Sequence, residues 1–257
     1  MRYDWKDKVV LVTGASSGIG RALAVELGRR GARVGVTARR AEELLKVAEE
    51  VERAGGQALA LAADVRNAAE MDGVAAKVRE SWGRVDVLIA NAGMSSTTAG
   101  ENLSAVEASD VISINVVGVV NSVAAVLPDM LKRKSGHLVA ISSLAALRGM
   151  PKSGVYSASK AAVSTFFESM RVDLRGSGVD VTVIHPGFIR TPMTAGRKKK
   201  LPFLLEADDA ACRILRAVER RARTYAFPWL LAAAVRLIRH MPSALYDRFA
   251  SNTSFRD

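Results

Sequence analysis

The chain has 257 residues, 49% of them hydrophobic, and a formal net charge of +11 at pH 7. That length suits one domain with a single large core, and we find no apolar run of the roughly 18–20 residues that span a bilayer. One cysteine excludes an intrachain disulfide, and three dispersed histidines give no zinc site, so no metal is predicted. The N-terminal residues lack a signal peptide's apolar stretch, and we expect a reducing, cytoplasmic location.

The positive charge is concentrated near the C-terminus. Residues 190–257 hold 14 Lys+Arg against 6 Asp+Glu, a net +8, which leaves +3 for residues 1–189. A nucleic-acid-binding face would carry basic residues with interleaved aromatics over the whole fold. A local basic surface is the better interpretation, and no nucleic-acid partner is predicted.

Short apolar runs alternate with longer amphipathic stretches along the chain. The predicted strands are Lys8–Thr13, Arg33–Ala38, Ala58–Ala63, Val85–Ala90, His137–Ser142, Val179–His185 and Thr224–Phe227. The predicted helices are Gly18–Arg30, Ala41–Ala54, Ala68–Trp82, Ser104–Lys134, Gly154–Arg175 and Glu206–Arg223. Continuously apolar strands that alternate with helices predict an α/β fold, with a parallel seven-stranded sheet covered by helices on both faces. We therefore expect a single doubly wound (Rossmann) domain over residues 1–228.

The first predicted strand runs into a glycine-rich turn, Thr13-Gly14-Ala15-Ser16-Ser17-Gly18-Ile19-Gly20, before the first helix. Glycines there permit a tight turn and close approach of the backbone to a diphosphate, while the helix N-terminus offers free N–H groups. The spacing is G-x-x-x-G-x-G, unlike the commoner G-x-G-x-x-G. A turn without ligand significance is the alternative, and the position between first strand and first helix favours the phosphate site.

The end of the second strand predicts the cofactor. An acidic residue at this place would accept hydrogen bonds from a free ribose 2′-hydroxyl, but here Ala38 is followed by Arg39 and Arg40. Two arginines suit a 2′-phosphate, so NADP(H) is predicted over NAD(H), with Arg39 as the main contact. The alternative is that both arginines simply begin a solvated helix.

Tyr156 and Lys160 carry the predicted chemistry. Four residues apart in a helical pattern, they lie on one face about a turn from each other. Lowering the pKa of a phenol from about 10 to about 7 requires roughly 4 kcal/mol, and one lysine at about 4 Å can supply that much. Tyr-x-x-x-Lys alone also occurs on solvated helix faces. Ser143, thirteen residues before Tyr156, makes the combination specific.

Together these motifs resemble the short-chain dehydrogenase/reductase family over roughly residues 6–193. Five motifs occur in the family's order and spacing: Thr13–Gly20, Asp64, Asn91–Gly93, the Ser143/Tyr156/Lys160 set, and Pro186-Gly187 with Thr191. One departure is Ala90, where the family usually has an asparagine, and it leaves the following three residues of that motif intact.

The resemblance implies a role for each matching residue. Tyr156 is the general acid in carbonyl reduction, Lys160 binds the nicotinamide ribose and lowers the pKa of Tyr156, and Ser143 orients the substrate oxygen. Asn115 holds a water that links Lys160 to solvent; satisfying a buried backbone group is its alternative role. Asp64 binds the adenine amino group or caps the following turn. Asn91 lies at the adenosine ribose, and Ile189 and Thr191 at the carboxamide.

The complete predicted cofactor-binding set is Gly14, Ser16, Ser17, Gly18, Ile19, Gly20, Arg39, Asp64, Val65, Asn91, Ala92, Gly93, Tyr156, Lys160, Pro186, Gly187, Ile189 and Thr191. The predicted catalytic set is Asn115, Ser143, Tyr156 and Lys160. The resemblance also implies a homodimer or homotetramer that pairs through the helices Ser104–Lys134 and Gly154–Arg175.

The substrate end is predicted to be apolar. A substrate loop is expected over about residues 192–205, including the basic run Arg197–Lys200, with Met193, Leu201, Phe203 and Leu204 as candidate lining residues. The residues expected to flank the reacting carbonyl are Met94, Leu144, Leu147, Met150 and Phe188, with few fixed charges beyond Arg148. Such a pocket favours lipophilic ketones, aldehydes, steroids or acyl chains.

Residues 229–257 are predicted to form an amphipathic, basic helical extension. Arg236, Arg239, His240 and Ser243 fall on one helical face, and much of the rest is apolar. Its first helix is too short to span a bilayer, but it suits contact with an anionic membrane surface. Packing on the core or on a second subunit is the alternative.

The leading functional prediction is an NADPH-dependent reductase of a lipophilic ketone or aldehyde, cytoplasmic or peripheral at a membrane. An NADP-dependent dehydrogenase of a steroid or other hydroxylipid is the alternative within the same class. A cofactor-binding regulator without turnover is the alternative from another class. The intact set Asn115, Ser143, Tyr156 and Lys160 argues against a regulator.

Overall fold

A computed structural model describes residues 3–97, 99–195 and 201–250. Seven parallel strands form one sheet in the order β3-β2-β1-β4-β5-β6-β7. The strands are β1 (Val9–Thr13), β2 (Arg33–Ala38), β3 (Gln57–Ala62), β4 (Val87–Ala90), β5 (Gly136–Ile141), β6 (Val179–Pro186) and β7 (Thr224–Phe227). Strands β1 to β3 are added toward one edge of the sheet and β4 to β7 toward the other, so the strand order switches between β1 and β4. In open α/β sheets ligands bind at such a switch point, outside the carboxyl ends of the strands.

Helices cover both faces of this sheet. They are α1 (Gly18–Arg29), α2 (Ala41–Arg53), α3 (Ala68–Trp82), α4 (Ala105–Ile112), α5 (Gly118–Lys132), α6 (Gly154–Asp173), α7 (Ala207–Glu219), α8 (Trp229–Arg239) and α9 (Ser243–Ala250). The predicted doubly wound fold is confirmed, and most predicted boundaries agree to within two residues.

Alternation along β1 shows how the two core layers arise. Val10 and Val12 belong to the layer under α1, α2 and α7, whereas Val9 and Leu11 belong to the layer under α3, α5 and α6. Every residue of this strand is buried, because parallel strands have a helical layer on each side. The continuous apolar runs in the sequence reflect this double burial.

The helix predicted over residues 104–134 has a different form. A π-helical turn, Ser113–Val117, joins α4 to α5. Gly118 follows it, and a Cβ there would lie 2.5 Å from Val65 Cγ2, so only glycine allows this close approach. Such single π turns are frequent at functional sites, and this one carries Asn115.

By length and composition the combined stretch Ala105–Lys132 is apolar enough to cross a membrane, contrary to the sequence expectation. It is a candidate by that test alone, since 50% of its most apolar window is buried inside the fold. The helices α3 and α6 pack against it. A core helix passes the same test, and this is the interpretation that the packing favours.

Candidate active site

The carboxyl ends of the strands open into a cavity of about 710 Å³. Of the predicted catalytic and cofactor-binding residues, all except Gly20 and Asn115 line it. The sheet places them together because they follow the carboxyl ends of β1 to β6, and the strands of this parallel sheet all end at the same edge.

The glycine-rich turn at this edge is held by Asn91. Its side-chain amide donates to the carbonyl oxygens of Thr13 (2.9 Å) and Gly14 (3.2 Å). Gly14 has a φ of +65° and packs so closely that a Cβ would lie 2.6 Å from Ala92 Cα. At Gly20 a Cβ would lie 2.5 Å from the Asn91 amide nitrogen. Gly20 therefore allows close packing under the turn, away from the cavity surface, while Asn91 supports the backbone of the glycine-rich turn.

The two arginines after β2 differ in their contacts. Arg40 donates from its guanidinium to the hydroxyl oxygens of Ser16 (2.9 Å) and Ser17 (3.1 Å) in the glycine-rich turn. Arg39 lines the cavity and forms no ion pair within the described ranges. Arg40 was missing from the predicted site, although the Arg-Arg pair was the available signal.

Asp64 caps the following turn and also borders the cavity, while its contact with the adenine amino group stays a prediction. It lines the cavity beside Val65, and its carboxylate accepts a hydrogen bond from the Arg66 backbone N–H at 3.0 Å, which closes the turn after β3. The Arg66 side chain also bonds this carboxylate and lowers its pKa. The carboxylate is therefore ionised and fixed in place at neutral pH.

Lys160 is a buried cation on α6 beside Tyr156. Its ammonium nitrogen donates to the carbonyl oxygen of Ile141 at 2.8 Å and lies 6.0 Å from the centroid of the Tyr156 ring. Burial lowers the pKa of Lys160 to about 8, because the charged form has lost its water. A nearby phenolate would offset that cost, so the geometry fits the predicted stabilisation of an ionised Tyr156.

The structure separates the two serines that follow β5. Ser142 is buried, and its hydroxyl contacts the Lys160 carbonyl oxygen (2.9 Å) and the Ser164 hydroxyl (2.8 Å). Ser143 is half-buried at the cavity, where its hydroxyl oxygen accepts from the Ala145 N–H at 3.1 Å. Ser143 is thus the serine whose hydroxyl can reach a bound substrate, while Ser142 braces α6.

Asn115 is fully buried and does not line the cavity. Its amide oxygen accepts from the Met94 N–H at 2.8 Å, and its amide nitrogen donates to Met94 O and Ser159 Oγ, both at 2.9 Å. Satisfying a buried backbone is therefore what its side chain does here. A Cβ on Gly93 would lie 3.2 Å from Asn115 Oδ1 and 3.3 Å from Lys160 Nζ, so the two groups flank one glycine. The predicted water link stays a prediction.

The segment after β6 returns to the glycine-rich turn. Gly187 N–H donates to Phe227 O at 2.7 Å, and Ile189 is buried in the core. Thr191 lies against the turn, since a Cβ on Gly18 would be 3.1 Å from its methyl carbon. Pro186, Gly187, Ile189 and Thr191 all border the cavity.

The substrate end agrees with the sequence prediction in part. Met94, Leu144, Arg148, Met150, Phe188 and Met193 line the cavity as expected. Leu147 does not; it turns away from this cavity into a second one. Leu201, Phe203 and Leu204 are not among the lining residues, and Leu201 is buried instead. The basic run Arg197–Lys200 lies outside the described residues.

The C-terminal helices complete this end, which the sequence analysis did not predict. The added lining residues are Leu231, Ala234, Val235 and Ile238 from α8, and Tyr246, Phe249 and Ala250 from α9. Arg148, in the loop after Ser143, contacts both helices. Its guanidinium lies over the Tyr246 ring of α9 and donates to Arg239 O of α8 at 3.0 Å. The spacing of Leu231, Val235 and Ile238 on one helical face was the available signal.

A doubly wound sheet with a glycine-rich turn after the first strand, and a serine, a tyrosine and a buried lysine in one cavity, is typical of oxidoreductases of the dinucleotide-binding class. The family model described as short chain dehydrogenase matches residues 8–202. An uncharacterized oxidoreductase of Myxococcus xanthus is 43% identical over 95% of this chain and 96% of its own. The ketoacyl reductase HetN of a Nostoc species is 35% identical over 77% of this chain and 69% of its own.

Among solved structures, a short-chain dehydrogenase/reductase from Burkholderia phymatum in complex with NAD matches with a TM-score of 0.85 at 27% identity. The match covers 98% of this chain and 97% of that one. This chain belongs to the short-chain dehydrogenase/reductase family. It is an enzyme of the oxidoreductase class, and the family uses a nicotinamide cofactor.

Proposed function

We propose that this enzyme is an NADPH-dependent reductase of a lipophilic ketone or aldehyde. The proposal rests on the apolar wall that α8 and α9 add to the cavity that Tyr156 lines. Leu231, Val235 and Ile238 extend the space beyond the reacting centre without adding charge. Arg148, the charged side chain of this end, is held by the Tyr246 ring and the Arg239 carbonyl oxygen. A substrate with an extended apolar body fits such a surface better than a small charged metabolite.

Each residue of the site has a separate role in the proposed reaction. The cofactor, when bound, supplies the hydride. Tyr156 holds the proton at its phenolic oxygen and donates it to the carbonyl oxygen of the substrate, and the buried Lys160 ammonium stabilises the phenolate that remains. Ser143 donates a hydrogen bond to the same substrate oxygen and fixes its orientation. In the reverse direction the same phenolate takes the alcohol proton, so an NADP-dependent dehydrogenase of a steroid or hydroxylipid remains the same-class alternative.

The preference for NADP(H) rests on Arg39 and Arg40. Ala38 provides no carboxylate for a ribose 2′-hydroxyl, while Arg39 borders the cavity without an ion-pair partner in the described part of the chain. Arg40 is placed on the hydroxyls of Ser16 and Ser17. Two guanidinium groups at this edge favour a cofactor that carries an additional phosphate.

The deciding experiment is NADPH oxidation with a panel of ketones, aldehydes, steroids and 3-oxoacyl thioesters, run in parallel with Tyr156→Phe. We expect turnover on apolar carbonyls that Tyr156→Phe lowers by at least about 100-fold. Tyr225→Phe, at a tyrosine of β7 that does not line the cavity, is the matched control. Tight NADPH binding without turnover on any member of the panel would instead favour the cofactor-binding regulator.

We also propose a cytoplasmic enzyme that contacts a membrane surface through α8. The outward side chains of Trp229, Leu230 and Leu237 are 73%, 47% and 75% exposed, and Arg236 lies beside them on the same helix. Exposed apolar residues beside basic ones are typical of helices that lie in an anionic interface. Co-sedimentation with phosphatidylserine vesicles tests this, with Trp229→Ser/Leu237→Ser expected to weaken binding. Leu45→Ser, at another exposed leucine on α2, should bind as the wild type does.

A homodimer or homotetramer is the proposed assembly. The outer faces of α4, the π turn and α5 expose Val106, Ile112, Val117, Val120 and Leu131. Several exposed apolar side chains on neighbouring elements favour burial against a second copy. Sedimentation velocity with Val117→Glu tests it, since one charge on each side of a two-fold interface should shift the protein to monomers.

A further inference from the structure

A second cavity of about 360 Å³ lies between α6, the β6–β7 edge of the sheet and α8. It shares no lining residue with the active-site cavity. Its lining residues are Ala146, Leu147, Ala161, Ser164, Thr165, Glu168, Arg171, Val183, His185, Arg223, Thr224, Ala226, Arg236 and Arg239.

The charge of this cavity is unbalanced. Four arginines from three different elements border it against the single carboxylate of Glu168. That carboxylate lies 3.8 Å from Arg171. Within the ranges that the structure describes, no carboxylate pairs with Arg223, Arg236 or Arg239. Like charges that surround one cavity repel each other, and an anion in the cavity would reverse the sign of that interaction.

A buried polar atom at the same cavity also lacks a partner. His185 is 5% exposed and its Nε2 lies 3.2 Å from Ser164 Oγ, while its Nδ1 is buried without a hydrogen-bond partner. Burial and the neighbouring Arg236 lower the pKa of His185 to about 4, so the ring is neutral at pH 7. Buried polar atoms are almost always hydrogen-bonded, and an unpaired one indicates a missing ligand or water.

We propose that this cavity binds a phosphate group, as inorganic phosphate, as a small phosphate monoester or as a phospholipid headgroup. Guanidinium groups bind phosphate oxygens in bidentate pairs, and several of them around one anion give strong charge-assisted hydrogen bonds. The hydroxyls of Thr165 and Thr224 add further donors. The aliphatic residues Ala146, Ala161 and Val183 leave an apolar surface for an attached organic group.

A phosphate at this place would act on the active-site wall through α8. Arg236 and Arg239 project from α8 into the second cavity, while Leu231, Val235 and Ile238 of the same helix line the first. An anion shared with Arg171 of α6 and Arg223 before β7 ties α8 to the domain. Phosphate binding should therefore raise the melting temperature of the protein and lower the KM for apolar substrates.

The test is calorimetric titration of inorganic phosphate into protein saturated with NADP⁺, so that the cofactor's own phosphate sites are filled. Ionic strength is held constant with chloride. We expect saturable binding with a dissociation constant below about 1 mM. Arg223→Gln/Arg236→Gln should weaken it by at least about tenfold, because each variant removes a charge-assisted contact. Arg213→Gln, an exposed arginine on α7 outside the cavity, should leave it unchanged.

Phosphatidic acid vesicles identify the source of the phosphate. Co-sedimentation that the double variant loses, while both Trp229→Ser/Leu237→Ser and Arg213→Gln retain it, and that occurs without binding of free phosphate, assigns a lipid headgroup in this cavity. Failure of both probes to bind the wild type overturns the proposal, as does an equal loss in Arg213→Gln. Since binding is measured without turnover, the result is independent of the reductase assignment.

Discussion

The guanidinium carbon of Arg148 lies 4.3 Å from the centroid of the Tyr246 ring. Arg148 belongs to the loop after Ser143, and Tyr246 belongs to the last described helix. Two hydrogen bonds reinforce this contact, from Arg148 to Arg239 O and from the Tyr246 hydroxyl to Gly149 O. The segment that carries the predicted catalytic serine is thereby fastened to both C-terminal helices, and those helices form the apolar end of the site.

Loss of the contacts between Tyr246 and the loop after Ser143 should weaken the binding of long substrates. Tyr246→Ala removes a cation–π contact and a hydrogen bond, together worth about 2 kcal/mol. We expect the KM for an extended apolar ketone to rise by roughly tenfold, with a much smaller effect on a short ketone that does not reach α9. Tyr246→Phe keeps the ring and should fall between wild type and Tyr246→Ala. An equal loss with short and long substrates would contradict the role of α8 and α9 as the substrate wall.

Substitutions of the two arginines after β2 should have different effects on cofactor affinity. Arg39→Ala should weaken NADPH binding by about tenfold or more and leave NADH binding nearly unchanged, because only NADPH carries the 2′-phosphate. Arg40→Ala should weaken both, since Arg40 orders Ser16 and Ser17 in the turn that receives the diphosphate. Fluorescence titration of the reduced cofactors gives the four constants. Unchanged discrimination in Arg39→Ala would remove the basis for the NADP(H) assignment.

The buried charge of Lys160 should appear as a pH dependence of stability. Its pKa is about 8 in the folded protein, against 10.5 for an exposed lysine, so the unfolded chain binds more protons between these limits. The free energy of unfolding should therefore rise with pH over that window by up to about 3 kcal/mol. Lys160→Met keeps the apolar stem and should lack this rise. The check is urea unfolding of both proteins from pH 7 to 10. If the free energy of unfolding changes with pH in the same way in both proteins, burial of the Lys160 charge does not reduce stability.

Gly93 should be intolerant of even a methyl group. A Cβ there meets Asn115 Oδ1 at 3.2 Å and Lys160 Nζ at 3.3 Å, and both atoms are already held by hydrogen bonds. Gly93→Ala should lower kcat by at least about tenfold by shifting the lysine, with a stability loss of only about 1–2 kcal/mol. Gly73→Ala is the matched control, since nothing lies within 4 Å of its Cβ position. In helix α3 this control should stabilise the protein by about 1 kcal/mol.

Much of the site could be predicted because its residues follow strand ends. The apolar runs that form β1, β2, β4, β5 and β6 are visible in the sequence, and parallel strands bring their carboxyl ends to one edge. The glycine-rich turn, Asn91, Ser143 and Thr191 therefore meet although they are far apart in the chain. The proximity of Tyr156 and Lys160 could be predicted from the helical repeat alone, because residues four apart in a helix lie on the same face.

Predictions failed where the direction of a side chain depends on packing between distant elements. Leu147 was expected at the reacting carbonyl, but the turn after β5 directs it into the second cavity. Asn115 was placed in a regular helix, whereas a π turn aims its amide at the Met94 backbone. Leu201, Phe203 and Leu204 were expected to line the pocket, but they do not, and residues of α8 and α9 line it instead.

The sequence by itself determined the family, the sheet and the identity of the residues at its edge, because strand burial, helical spacing and glycine-rich turns are encoded within a few residues of each other. Only the tertiary structure decided what closes the site. The docking of α8 places Leu231 and Val235 on the substrate side while it places Arg236 and Arg239 in a separate basic cavity. One amphipathic helix allows several such placements, and contacts with residues nearly a hundred positions away, such as that of Arg148 with Tyr246, select the one that occurs.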